Sequence, residues 1–217
     1  MNMVLFAKII IKKYIVLIKI KIISLDRGYH AKTKIKRMEI VKIMNKVAQF
    51  EKVSFNQFLS DFMDTFEEFD YSKPSNVEIL KHAWENIKLP KRSTVSSAGY
   101  DFCSPIDFEL SPGEEIKIPT GIRCKIDSDW VLMIYPRSSI GFKYQIGLAN
   151  TTGIIDSDYY NSDNQGHIMV KLVNHGSKMF SVNEGDKIVQ GVFLPYGITI
   201  DDEANGERTG GFGSTGR

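Results

Sequence analysis

The sequence predicts a mainly β protein, jelly-roll-like or barrel-like, preceded by a short helical segment. Three observations carry that expectation. From about Ser96 onward, apolar and polar residues alternate with period two, as in "EEIKIPTGIRCKI", "WVLMIY" and "HIMVKLV", the pattern of strands with one buried face. Gly, Pro and Asp separate these runs at short intervals, which favours many short strands. Ahead of Ser96 the period becomes helical, in two segments that each carry a start signal.

In "SFNQFLSDFMDTF", Phe55, Phe58, Leu59, Phe62, Met63 and Phe66 recur at helical spacing, and Ser54 with Gln57 has the spacing of a capping box. In "PSNVEILKHAWENI", Ser75 and Glu78 repeat that device after Pro74, and Val77, Leu80, Trp84 and Ile87 make an apolar stripe. These helices read as packing elements or as an oligomer or partner surface. "KLPKR" then leads into the β body.

The first part of the chain differs in composition. Of the 28 Lys+Arg and 26 Asp+Glu, 12 and 2 fall within residues 1–46, a net of +10, and the remaining 16 and 24 leave −8. An acidic body argues against a nucleic-acid groove. "VLFAKIIIKKYIVLIKIKII" (Val4–Ile23) is interrupted by five lysines, each costly in hydrocarbon, so no membrane span is expected. The stretch reads as a low-complexity translated leader, with the working start at Met38 or Met44. An interfacial amphipathic helix or a transit peptide is the alternative. Two cysteines, Cys103 and Cys124, are no disulfide framework, and a reduced cytoplasmic compartment fits them. Four scattered histidines show no metal-ligand spacing.

Polar residues suited to chemistry gather at the turns of the β body, in five clusters: "AGYDF" (98–102), "YPRSSIGFKYQIGL" (135–148), "NTTGIIDSDYY" (150–160), "GDKIVQ" (185–190) and "RTGGFGSTG" (208–216). "PRSS" offers a guanidinium, two hydroxyls and backbone N–H groups after a strand, a combination suited to phosphate oxygens. "GIIDSD" places carboxylates beside glycine at a strand end, where a water or a metal can approach. Gln190 adds an amide donor. The closing "TGGFGSTGR" cannot form a core, and ordering nine such residues costs on the order of 10–20 kcal/mol. It is expected to order only on a ligand, with Phe212 as a flat face for a base.

Together and in this order, the five clusters resemble the motifs of the trimeric deoxyuridine triphosphatase (dUTPase) family, over roughly Ser97 to Arg217, and the helical lead-in resembles bacterial and phage members. The resemblance implies a distorted jelly roll (β-clip) with an N-terminal helical extension. It divides the chain into a leader (1–43), a helical extension (44–95), the β domain (96–207) and a flexible C-terminal lid (208–217). It also implies hydrolysis of dUTP to dUMP and pyrophosphate with Mg²⁺, in a homotrimer whose neighbouring chains share each site.

The resemblance assigns Asp156 the role of deprotonating the water that attacks the α-phosphorus. Arg137, Ser138 and the Ser139 backbone would hold phosphates, with Gln190 touching them. Asn150 and the strand through Gly153, Ile154 and Ile155 would read uracil, and Tyr159 would pack under the deoxyribose. Arg208, Phe212, Gly213, Ser214 and Thr215 would close over the nucleotide. Asp101 is expected near the Mg²⁺ shell or in support of the site. Some family members act as regulators through protein contacts, which makes the helices at 54–87 and the long third-motif loop candidate partner surfaces.

The chain departs from the family pattern in three places. The third motif commonly runs Asp-x-Asp-Tyr-Arg-Gly, whereas "DSDYYNSDNQGHI" has Tyr160 and an Asn/Asp-rich insertion before Gly166. Glu207 occupies the usual place of the fifth-motif arginine, with Arg208 one step on, and Ser139 stands where glycine is common. The nearest rival is deoxycytidine triphosphate deaminase, which shares the fold. Its chemistry needs a glutamate on the strand after the third motif, and "GHIMVKLVN" puts Lys171 there.

Overall fold

Strand β1 (Ala48–Lys52) opens the fold, pairing antiparallel with β6 (Ile122–Ile126) in the register Ala48↔Ile126 to Lys52↔Ile122. The computed structural model describes residues 45–206 together with Arg208 and Gly210. The expectations for the leader over 1–43 and for Phe212, Gly213, Ser214 and Thr215 lie outside these residues. The region read as a helical lead-in therefore begins with a strand that belongs to the β body.

Helix α1 (Phe55–Thr65) starts where Ser54 accepts a hydrogen bond from the Gln57 N–H at 3.2 Å. The capping box is completed differently from expectation. The Gln57 side chain turns along the helix to Asp61, and Gln165, from the third-motif insertion, bonds both the Ser54 N–H and the Ser54 hydroxyl at 3.0 Å. Helix α2 (Pro74–Asn86) lacks the expected Ser75 cap: it begins two residues earlier, with Lys73 at the cap position and Pro74 inside the first turn. Proline suits that turn because its missing N–H would have had no helical partner. Phe58, Phe62 and Leu80 are buried together with Val53, and Trp84 packs beside them, donating its indole N–H to the Val53 carbonyl. The Phe-rich stripe is core, except that Met63 is exposed.

The β body forms a distorted jelly roll. Its largest sheet runs β2 (Lys91–Arg92), β3 (Tyr100–Cys103), β12 (Lys187–Pro195), β7 (Trp130–Pro136) and β9 (Gly153–Ile155). A second sheet runs β5 (Glu115–Pro119), β10 (Met169–Asn174) and β8 (Ile146–Leu148), and β4 (Phe108–Leu110) pairs with β11 (Phe180–Val182). Leu132, Ile134, Leu172, Ile118 and Ile188 fill the space between, each almost wholly buried. The alternation legible in the sequence is the alternation of burial along β6 and β10, where inward positions are buried and their neighbours face out. Both cysteines lie on strands and are free thiols, and burial pushes the Cys124 thiol up to about 12. Among the described residues, no helix is long and apolar enough to cross a membrane.

Candidate active site

The predicted residues gather in two places. The first is the end of the large sheet where β3, β7 and β12 meet. Here Asp101 accepts from Arg137 Nε at 3.0 Å through one oxygen, and from Lys187 Nζ at 2.7 Å and Ser93 Oγ at 2.8 Å through the other. Burial works to raise the Asp101 carboxyl, but the hydrogen bonds from Lys187 and Ser93 and the charges of Arg137 and Lys187 outweigh it and hold it below its ordinary range. Asp101 thus fixes Arg137, whose residue precedes helix α3 (Ser138–Tyr144), with Ser138 and Ser139 exposed in its first turn. Gln190 sits opposite Tyr135 and donates to the Pro136 carbonyl at 3.2 Å. Its side chain lies over Gly99, where a Cβ would come within 2.4 Å of the Gln190 amide oxygen. A side chain at position 99 would displace the Gln190 amide from this place.

The second place is a pocket of about 750 Å³. Leu148–Ile155, including Asn150, Gly153 and Ile154, forms much of its wall, with Tyr159, Lys171 and Arg208. Strand β9 is the edge of its sheet, paired with β7 on one side only. An edge strand presents backbone N–H and C=O groups to whatever enters, and these are the fixed donors and acceptors a nucleobase edge needs. The chain then turns through a single 3-10 segment, Ser157–Asn161, that follows Asp156. The Asp156 carboxylate is half exposed.

Tyr159 is 3% exposed. Its hydroxyl donates to the His167 carbonyl at 2.7 Å and accepts from Asn164 Nδ2 at 2.8 Å. Burial pushes the phenol up to about 12, so it stays neutral near pH 7, where it serves as surface and scaffold.

Arg208 reaches this pocket. Its Nη1 donates to Asp156 Oδ2 at 2.9 Å and to Asp158 Oδ1 at 2.8 Å, and its guanidinium carbon lies 5.3 Å from the Tyr159 ring centre. Burial lowers the guanidinium's affinity for its proton, but the bonds to Asp156 and Asp158 outweigh that and raise it. The fifth-motif arginine, expected on phosphate, here rests on the carboxylates beside the pocket.

The third-motif departures have a structural account. Tyr160 stands where the family pattern has arginine, and Arg123 of β6 stacks on its ring at 3.6 Å while donating to its carbonyl at 2.8 Å. Its hydroxyl donates to Glu51 of β1 at 2.7 Å. Gly166 closes the insertion at φ +69°, where a Cβ would lie 2.7 Å from the Tyr159 carbonyl oxygen. No other residue fits there without moving the chain under Tyr159.

Three pocket-side residues escaped the sequence reading: Asp61, Asn164 and His167. His167 is fully buried, accepts the Gly121 N–H on Nε2 at 2.7 Å, and therefore donates from Nδ1 to Asp61 Oδ2 at 2.5 Å. The one available signal was the place of Asp61, a carboxylate between Phe58 and Phe62 on an otherwise apolar helix face. Lys171 lies in β10 and on the pocket wall, so the position where deamination chemistry needs a glutamate carries a cation. Among the described residues, no group of three or more His, Cys, Asp or Glu side chains is placed to hold a metal ion.

Comparison with known proteins gives the family and the fold. The dUTPase family model matches residues 85–216. A deoxyuridine 5'-triphosphate nucleotidohydrolase of Lactococcus lactis is 42% identical over 141 residues, covering 64% of this chain and 94% of that protein. One from Haemophilus influenzae is 40% identical over 154 residues, covering 67% and 99%. Among solved structures, the dUTPase of Staphylococcus bacteriophage 80alpha aligns with a TM-score of 0.51 at 16% identity, over 76% of this chain and all of that one, a likeness of fold.

Proposed function

The chain belongs to the dUTPase family, and on that premise we infer that it hydrolyses dUTP to dUMP and pyrophosphate. That reaction keeps uracil out of DNA and supplies the thymidylate precursor. The observation that carries the reading is the pocket: an edge strand suited to a base, a fixed ring suited to a sugar, and a carboxylate beside them. Backbone groups of Gly153–Ile155 pair with uracil, leaving cytosine with mispaired donors, and the narrow slot excludes the thymine methyl. The Tyr159 ring lies under the deoxyribose and leaves no room for a 2'-hydroxyl.

Asp156 takes a proton from the water that attacks the α-phosphorus. The new P–O bond forms as the bond to the bridging oxygen breaks, and pyrophosphate leaves with that electron pair. Arg208 occupies Asp156 Oδ2, and the triphosphate is the anion that would draw the guanidinium away and open that oxygen to the water. Asp101 holds Arg137 and, with it, the first turn of α3 for the phosphates.

The donor set fits Mg²⁺ carried on the triphosphate. Such an ion prefers phosphate oxygens and water to an all-protein cage, and both Asp101 oxygens are already taken by cationic and hydroxyl donors. Bound there, the ion would neutralise charge on the phosphates, with Asp101 in support through Arg137.

The described wall of the pocket contains none of Asp101, Arg137, Ser138, Ser139 or Gln190. The family resemblance implies a homotrimer, in which the phosphate group of one chain would complete the pocket of its neighbour. The activity is tested by following pyrophosphate and nucleotide products from dUTP, dCTP, dTTP and UTP with Mg²⁺. The expected result is dUMP from dUTP with little turnover of the others. Release of ammonia from dCTP would move the chain to the deaminase reading.

A further inference from the structure

Helix α1 stands outside the five motifs, yet it reaches the pocket. Asp61 lies on the helix face between Phe58 and Phe62, and it contributes to the pocket wall. From it a link runs through His167 to the sugar platform: the His167 Nδ1–H donates to Asp61 Oδ2 at 2.5 Å, and the Tyr159 hydroxyl donates to the His167 backbone carbonyl at 2.7 Å. Each intermediate is held elsewhere as well. His167 Nε2 is fixed by the Gly121 N–H, and Asn164 braces the Tyr159 hydroxyl from the other side at 2.8 Å. The link is reciprocal, because Gln165, two residues before His167, completes the cap of α1 at Ser54.

A tether of the helix to the β body would need only apolar packing, which Phe58 and Phe62 already provide. A carboxylate–histidine pair at 0% exposure of the imidazole adds direction: it specifies where the His167 backbone lies, and hence where the Tyr159 ring ends. A ring whose hydroxyl is anchored at one height can reject a 2'-hydroxyl, whereas one free to sink cannot.

We propose that Asp61 and His167 are positioning residues for the substrate's sugar, setting the height of Tyr159 so that 2'-deoxynucleotides are accepted and ribonucleotides refused. This rests on the dUTP reading above and assigns helix α1 a part in sugar selectivity. Neither residue touches the reacting atoms.

The test compares kcat/KM for dUTP and UTP in the full chain and its variants. An unaltered protein that does not hydrolyse dUTP would defeat the functional reading itself, a result distinct from any shift in the dUTP:UTP ratio between variants. Asp61→Ala should lower the dUTP:UTP ratio by about tenfold, less than the roughly 10²-fold that a 1 Å misplacement can cost, with KM for dUTP moving more than kcat. Tyr159→Phe, which keeps the ring but frees it from His167, should lower the ratio in the same direction. The double variant should fall no further than the larger single effect, since both cut one chain of contacts. Met63→Ala changes an exposed position of the same helix without touching the Asp61–His167 pair or the Ser54 cap, and should leave the ratio unchanged. A folded Asp61→Ala protein with the original ratio, losing only thermal stability, would reduce the pair to a structural tether and overturn the proposal. Should Asp61→Ala not fold, Tyr159→Phe decides: an unchanged ratio there overturns it equally.

Discussion

The cluster proposed for phosphate and the pocket proposed for base and sugar are held by different physics. Around Asp101, order comes from charge: Arg137, Lys187 and Ser93 converge on one carboxylate at the sheet end, with the Lys187 side chain 43% exposed. Around Tyr159, order comes from burial and neutral hydrogen bonds to backbone, with Asn164, His167 and Gly166 closing behind the ring. The difference matches what each end would recognise in the proposed reaction. Phosphates are strongly charged and tolerate small displacements, so cations held by one counter-charge suffice. A missing hydroxyl is recognised by shape alone and needs a rigid wall.

The largest effect should come from the carboxylate beside the pocket. Asp156→Asn is expected to keep nucleotide binding while turnover falls by about 10²–10⁴, the usual contribution of a general base. Single-turnover assays with a parallel binding measurement check it. Near-normal turnover would move the base elsewhere, with Asp158, the other partner of Arg208, first to examine.

At the charged end, Asp101→Ala releases both Arg137 and Lys187. A hydrogen bond to a charged group is worth about 1.5–3 kcal/mol, so kcat/KM should drop by roughly ten- to a hundredfold. The selectivity for dUTP over UTP should stay as it was. A change in sugar selectivity would mean that the two regions are not separable in the way their contacts indicate.

At the neutral end, Tyr159→Ala should do the opposite. It removes the wall, and the dUTP:UTP ratio should fall by up to about 10²-fold, the scale on which a pocket rejects an added hydroxyl. An unchanged ratio would place the discrimination in another contact.

Acid should separate the regions more gently. The Asp101 carboxyl titrates lower in the folded chain than its ordinary value of about 3.9. Its contribution to stability is therefore present above that value and is lost as pH falls through the lower folded one. Asp101→Asn should lose stability near neutral pH and show a shallower decline below about pH 4, read from melting temperatures across pH. The Tyr159 phenol, held up to about 12, should contribute no pH dependence in that range.

Much of this was legible in the sequence, but unevenly between the regions. Period-two alternation announced β5, β6, β7 and β10, and the five motif clusters marked where polar groups would meet. The phosphate cluster was legible because cations and hydroxyls in a turn declare their chemistry by type. What stayed hidden depends on contacts between residues far apart in the chain. Gln165 caps a helix 111 positions away, and Asp61 reaches His167 across 106; no local pattern encodes either. The Ser75 cap failed for a local reason, because Pro74 already suits the first turn without a side-chain acceptor before it. The contacts of Arg208 with Asp156 and Asp158, about fifty positions back, were hidden for the same reason as those of Gln165 and Asp61.

In the proposed homotrimer the two regions meet across subunits to form one site. Mixing subunits tests it directly. Asp156→Asn and Arg137→Ala proteins, each nearly inactive alone, would be unfolded together, refolded and confirmed as mixed trimers. If a site takes its carboxylate from one chain and its phosphate cluster from the next, random mixing leaves about a quarter of the sites intact, and dUTP hydrolysis should return to that level. Verified mixed trimers no more active than either parent would contradict the account and place both regions of each site within a single chain.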